Sequence, residues 1–267
     1  MRNPTIGGES CELEPLALRW VFICVAGLPP LPKGPDTWAG AVTSRVAASL
    51  LFAYMCDMLW RNSRGRPLNA PAAFIHPCQP TVAKEPPTGP GWAHELKHDG
   101  YRLQIQVRDG RVRLFTMNGN DWTKRYPRIV EEAAQLRAPL IIDAEVVHLS
   151  AGGVPDFDAL HSRVADDKAI ALAFDLLLSG DDIRRQPLIE RKNALKWVLR
   201  KAREGIQYVE HADGHGDKLF AAVCNLGLEG IVSKRLTSVY KPGPSKAWIK
   251  VKNPKAPAAT RIIDGTF

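Results

Sequence analysis

The chain has 267 residues, 45% apolar and 24% charged, so it can bury one large core or two ordinary ones, and it is too apolar and too varied for a disordered or fibrous protein. A net charge of +8 points to an anionic partner, with nucleic acid ahead of a membrane surface. Five scattered cysteines (Cys11, Cys24, Cys56, Cys78, Cys224) form no C-x-x-C pair, which argues against a disulfide framework or a zinc site and fits a reducing cytoplasm.

Residues 1–70 read differently from the remainder. Leu16–Leu31 is apolar but is broken at Pro29-Pro30, short of the roughly twenty residues of a membrane span, and it follows Glu9, Glu12 and Glu14 rather than the basic start of a signal peptide. Ala39–Trp60 contains Arg45 and Asp57, and its apolar run Val46–Cys56 is also too short to span. We read 1–70 as an atypical extension, disordered or translated from an early start, with Met55 or Met58 as the natural beginning. Residues 71–91 carry Pro71, Pro77, Pro80, Pro86, Pro87 and Pro90 and form an extended lead-in with little regular structure.

From residue 92 the pattern is α+β. Trp92–Lys97, Arg102–Arg108 and Val112–Thr116 read as strands joined by tight turns at Asp99-Gly100 and Asp109-Gly110. Tyr126–Leu136 is a helix with Ile129, Val130, Ala133 and Leu136 at helical spacing, Pro139–Leu149 an apolar strand, and Asp156–His161 a short helix capped by Asp156. There follow a buried strand at Ile170–Leu178, a basic helix at Leu188–Arg203 opened by Pro187, and a strand at Ile206–Val209. A helix at Asp217–Leu226 ends at Gly227, and strands at Gly230–Ser233 and Ala247–Val251 complete the domain, 92–255, before a tail at 256–267.

Charge stands where several of these strands should be apolar. In Glu95-Leu96-Lys97-His98-Asp99-Gly100-Tyr101-Arg102 a lysine lies at the mouth of an Asp-Gly turn; taken alone the stretch reads as a charged hairpin ahead of the setting of a nucleophilic lysine. Asp143 and Glu145, at i and i+2 of one strand, project from one face, as an exposed edge or as a metal-binding pair. Glu229 precedes a short apolar strand that ends at Lys234, and Trp248-Ile249-Lys250-Val251-Lys252 places Lys250 and Lys252 on one face, as a solvated edge or as a phosphate-facing pair.

In this order, with Phe174-Asp175 between them, these stretches resemble the motif series of the covalent nucleotidyltransferases: ATP-dependent DNA ligases, RNA ligases and mRNA capping enzymes. The resemblance is strongest to the small bacterial ATP-dependent DNA ligases and the ligase domain of bacterial end-joining ligases, and it runs from about Phe74 to the C-terminus. It implies a covalent nucleotidyltransferase (ATP-grasp-like) fold of mainly antiparallel sheets with flanking helices. Lys97 would attack the α-phosphate of ATP and carry AMP, with Asp99 and Gly100 supporting its turn. Lys234, Lys250, Lys252 and a divalent metal would depress its pKa. Glu145 and Glu229 would hold Mg²⁺ or Mn²⁺, with Asp143 as a supporting residue, and Lys250 and Lys252 would neutralise charge on the phosphates. Phe174 would stack on adenine beside Trp248, backbone groups of Glu95 and Leu96 would read its edge, and Arg102 would contact the ribose or a 5′-phosphate. The expected partner is nicked double-stranded DNA.

Three positions depart from the family pattern: Met117 stands where arginine is usual, Ala144 where glycine is usual, and Pro244 where a basic residue is common. Only fifteen residues follow Lys252, so no OB-fold domain is expected, and a minimal adenylation domain would adenylylate slowly or need an OB-fold or end-joining partner in trans. An RNA ligase, a capping-type enzyme and a non-catalytic nucleic-acid-binding remnant are the alternatives.

Overall fold

The computed structural model describes residues 74–136 and 139–257, so the expectations for 1–70 lie outside the described residues. Within them, two sheets face each other. The first has strand order β1-β11-β10-β2-β9, built from Cys78–Val82 (β1), Trp92–Leu96 (β2), Ala212–Asp213 (β9), Gly230–Arg235 (β10) and Gly243–Lys252 (β11). The second, in order β4-β3-β5-β6-β7, comprises Tyr101–Arg108 (β3), Arg111–Thr116 (β4), Leu140–Val147 (β5), Ile170–Ser179 (β6) and Asp181–Asp182 (β7), with Ile206–Tyr208 (β8) paired to β6. All pairings are antiparallel except β1 with β11 and β6 with β8.

Helices Pro127–Ala134 (α1) and Leu188–Val198 (α3) cover the outer face of the second sheet, sealing a core of Leu103, Ile105, Leu114, Ile129, Ile142 and Leu195. Gly216–Asn225 (α4) packs Leu219 and Val223 against Leu96, Ile231 and Val251 of the first sheet. Between the sheets, Ile75, Cys78, Ile141, Leu177, Tyr240 and Trp248 form a smaller apolar seam. Burying each such side chain contributes roughly 1.5–3 kcal/mol, which is why both sheets keep one apolar face.

Local signals set most boundaries. Pro127 occupies the first turn of α1, where its missing N–H costs nothing. The Asp156 carboxylate accepts from the Ala159 amide at 3.0 Å and starts the short helix Phe157–His161 (α2). Gly227, at φ +69°, closes α4: its amide donates to Cys224 and that of Leu228 to Val223, the paired bonds of a Schellman ending. Asp109 and Gly110 both have positive φ and form the tight hairpin expected between β3 and β4.

Three expectations are corrected. Asp99-Gly100 is not a hairpin: β2 and β3 belong to different sheets, so the segment carries the chain from one sheet to the other. Gly100 is needed there because a Cβ would lie 2.0 Å from the Val146 carbonyl oxygen on β5. The basic helix stops at Val198 and tightens into a 3₁₀ turn, Leu199–Lys201, rather than running to Arg203. The proline-rich lead-in contributes β1, whose residues pair with β11 at the sheet edge, where Pro80 is tolerated. Gly100→Ala is therefore expected to cost about 1–3 kcal/mol through this overlap, read as a lower urea midpoint at unchanged slope.

Candidate active site

Lys97 leaves the end of β2, and its backbone amide donates to the Gly230 carbonyl at 2.9 Å, which ties it to the start of β10. Its ammonium lies 2.6 Å from Glu229 Oε1 and 2.7 Å from Oε2. Gly230 lets β11 pack closely against the start of β10. It sits at φ +147°, and a Cβ there would meet the Val251 carbonyl oxygen at 2.1 Å. On the next strand Lys250 faces Val232, and its ammonium is pushed below the usual lysine range by burial and then by repulsion from Lys97 and Lys252. Three lysines and one glutamate thus share a field, as the alternation of Lys250 and Lys252 implied.

The opposing wall comes from β3 and β5. Arg102 faces Glu145 in register, and its guanidinium holds Asp143 through Nε (2.9 Å) and Nη2 (2.6 Å) while Nη1 donates to the Cys78 carbonyl (2.6 Å). The Tyr240 hydroxyl donates to the same Asp143 carboxylate at 2.7 Å and accepts from the Cys78 amide at 3.0 Å. Asp143 therefore positions Arg102. Among the described residues, no such clamp holds Glu145. Burial pushes its carboxyl up to about 7; Lys97 and Arg102 oppose that shift, while Glu229 and Asp143 add to it. The neighbouring His98 is pushed down to about 4, chiefly by burial, and so is neutral near pH 7.

Phe174 lies at the inner end of this cleft, edge-on to Trp248 with centroids 6.1 Å apart. Arg102 and Lys234 both stand over its ring, at 5.3 Å and 4.1 Å from the centroid. The structure does not make Lys234 a free cation for Lys97. Its Nζ is 2.6 Å from Glu95 Oε2, and Lys192 of α3 holds the other oxygen at 2.5 Å. Burial raises the cost of charge on Glu95, yet the two ammonium groups outweigh it and hold the carboxyl below its ordinary range. The Leu96 side chain is buried under α4, so only its backbone can serve a ligand. Behind Phe174, Asp175 forms a fully buried two-pronged pair with Arg191, at 2.8 Å for both contacts.

Sequence reasoning missed Tyr240, Arg191, Lys192 and His98. Beside Lys97 a cavity of about 110 Å³ is walled by Val154, Pro155, Leu228, Glu229 and Ala256. Among the described residues, no group of three or more His, Cys, Asp or Glu side chains is arranged to hold a metal, and no helix is long and apolar enough to cross a membrane.

The family model for the ATP dependent DNA ligase domain matches residues 78–252. The multifunctional non-homologous end joining protein LigD of Pseudomonas aeruginosa is 37% identical over 185 residues, covering 67% of this chain and 22% of the relative. The SPbeta prophage-derived DNA ligase-like protein LigB of Bacillus subtilis is 31% identical over 186 residues, 67% of this chain and 68% of that protein. Among solved structures, mycobacterial DNA ligase D complexed with ATP and MES aligns with a TM-score of 0.58 at 31% identity, over 67% of this chain and 60% of that one. The chain thus spans about a fifth of the end-joining relative and two thirds of the prophage one. With the family model matched over residues 78–252 and the two-sheet fold shared with the solved ligase structure, the chain belongs to the ATP-dependent DNA ligase domain family.

Proposed function

We propose that this chain forms a lysyl-AMP on Lys97 and uses it to seal nicks in double-stranded DNA during repair or recombination. The observation that supports this most is the Lys97–Glu229 pair, set at 2.6 Å among Lys250, Lys252 and Glu145. Lys97 must lose a proton before its nitrogen attacks the α-phosphate, forming the P–N bond as the bond to pyrophosphate breaks. Glu229, 2.6 Å from that ammonium, would take the proton, and Lys250 and Lys252 would face the growing phosphate charge. Phe174 and the Glu95–Leu96 backbone would receive adenine, and Arg102, aligned by Asp143, would keep donors for the ribose or a 5′-phosphate. An oxygen of the nick's 5′-phosphate would then attack the AMP phosphorus, breaking the P–N bond and freeing Lys97, and the 3′-hydroxyl would displace AMP from the adenylylated 5′-phosphate to form the phosphodiester.

Glu145 and Glu229 suit a hard divalent ion. Two neighbouring carboxyls, one pushed up to about 7, gain from a cation beside them, and two protein ligands suit Mg²⁺ or Mn²⁺ shared with phosphate oxygens. Such an ion would supply charge neutralisation on the triphosphate. An OB-fold or end-joining partner in trans would complete the DNA clamp, and we place the activity in the cytoplasm.

Incubation with α-labelled ATP or GTP and Mg²⁺, followed by a denaturing gel, tests the reading. A covalent band from ATP supports it; label from GTP alone would point to capping chemistry, and no label from either would reject it. A nicked DNA duplex compared with nicked RNA then fixes the substrate.

The raised Glu145 carboxyl gives a further expectation. Its folded pKa lies above the unfolded one, so protons bind the native state more tightly, and its contribution to stability falls as pH rises from about 4.5 to about 7. Mg²⁺ binding should release about one proton at pH 6 and far fewer at pH 8. Calorimetry in buffers of different ionisation heat measures this, and Glu145→Gln should abolish most of the release.

A further inference from the structure

An open cleft of about 730 Å³ shares no lining residue with the cavity beside Lys97. It lies at the β4 edge of the second sheet, between Arg113 of β4, the loop Asp121–Arg125 and the segment after α2 that carries Arg163 and Asp166. Four cations and two acids line it. Asp121 takes the Arg113 guanidinium at 2.9 Å and is held down to about 2, first by hydrogen bonds from Thr123, so it stays ionised. Asp166 takes Arg125 Nε at 2.9 Å, and Arg125 also lies 4.3 Å above the Trp122 ring. Each acid therefore neutralises one arginine. Lys124 and Arg163 remain exposed, and no described residue pairs with either. Arg163 is held at φ 64°, a left-handed conformation that L residues other than asparagine or aspartate seldom adopt.

Two unpaired cations on separate segments, flanked by two arginines, make a concave positive surface rather than a convergent pocket. A single phosphate would be better served by donors aimed at one point. A row of phosphates fits charges spread across an open cleft, and releasing counterions from such a row is the main source of affinity. We propose that this cleft holds the phosphate backbone of the duplex through Lys124 and Arg163, outside the nucleotidyl-transfer cleft. The proposal rests on the reading of the partner as double-stranded DNA.

The test uses the full chain and a nicked, 5′-phosphorylated DNA duplex titrated at several NaCl concentrations. Lys124→Gln with Arg163→Gln should weaken binding about tenfold at physiological salt and reduce the slope of log K against log salt by about one to two. The rate of self-labelling by ATP and the melting temperature should not change. An unchanged slope and affinity overturns the proposal, as does wild-type protein that labels with ATP but binds no duplex. Displacement of the duplex by stoichiometric pyrophosphate, lost in the double variant, would overturn it in favour of a small-anion site. Failure of ATP labelling in the wild type, with the slope change intact, would instead reject the ligase mechanism and leave the cleft standing.

Discussion

Arg191→Leu is expected to remove about 3–5 kcal/mol of stability, the largest loss from any single substitution considered for this fold. Arg191 and Asp175 are both fully buried, and the other donors of Arg191 reach the Gln186 and Ser238 carbonyls at 2.6 and 2.9 Å. Deleting the guanidinium strands a carboxylate and two carbonyls away from water. Domains of this size retain about 5–15 kcal/mol in total, so the variant should sit near its unfolding threshold. The pair itself need not be strongly stabilising, because desolvation offsets much of its attraction. Asp175→Leu combined with Arg191→Leu should therefore recover part of the loss. Urea melts of the wild type and the three variants measure the cycle, and equal losses in the single and double variants would show that the charge left behind is not the cause.

The second large effect is chemical. Lys97→Ala should lower covalent labelling by ATP by roughly 10⁴-fold or more, since Lys97 is the amine paired with Glu229 at the end of β2. Lys97→Arg makes a sharper test. A guanidinium can keep the ion pair with Glu229, which the wild-type ammonium makes at 2.6 Å, but it does not give up its proton at neutral pH. It should preserve the melting temperature and abolish the label. Residual sealing of pre-adenylylated nicks by either variant would show that the later step tolerates loss of the nucleophile. Labelling by Lys97→Ala at the parent rate would remove this lysine from the mechanism.

How much of this was legible in the sequence depends on distance along the chain. Near-continuous apolar runs, such as Leu140–Val147 and Ile170–Ser179, emerged as strands within a residue or two of expectation. Asp156 and Gly227 marked helix ends because caps are local chemistry. What no local signal carries is which sheet a strand joins. Asp99-Gly100 has hairpin composition, and only the pairing of β2 and β3 with different, distant strands shows that the chain changes sheets there. The buried Arg191 and Lys192 were hidden differently. Leu188, Arg191, Lys192 and Leu195 are all buried and follow the i, i+3, i+4, i+7 spacing of an inward helical face, but two of the four are cations. Their acids, Asp175 and Glu95, lie 16 and 97 residues away, beyond any sequence window. Tyr240 was missed for the same reason: its carboxylate partner, Asp143, is 97 residues earlier.

The parallel pairing of β1 with β11 also bears on how the protein is made. Cys78 lies beside Gly243 and Val82 beside Lys250, so the first sheet joins strands separated by more than half the chain. The lysine emerges from the ribosome well before its glutamate, 132 residues later and immediately before β10, and before its two companion lysines on β11. Contacts of such long sequence separation form slowly, because loop closure must precede any gain from pairing. During translation the second sheet can close while the first waits with an unpaired edge. A nascent chain arrested before Gly243 should therefore display Lys97 without Lys250 or Lys252, and should lean on chaperones until β11 arrives.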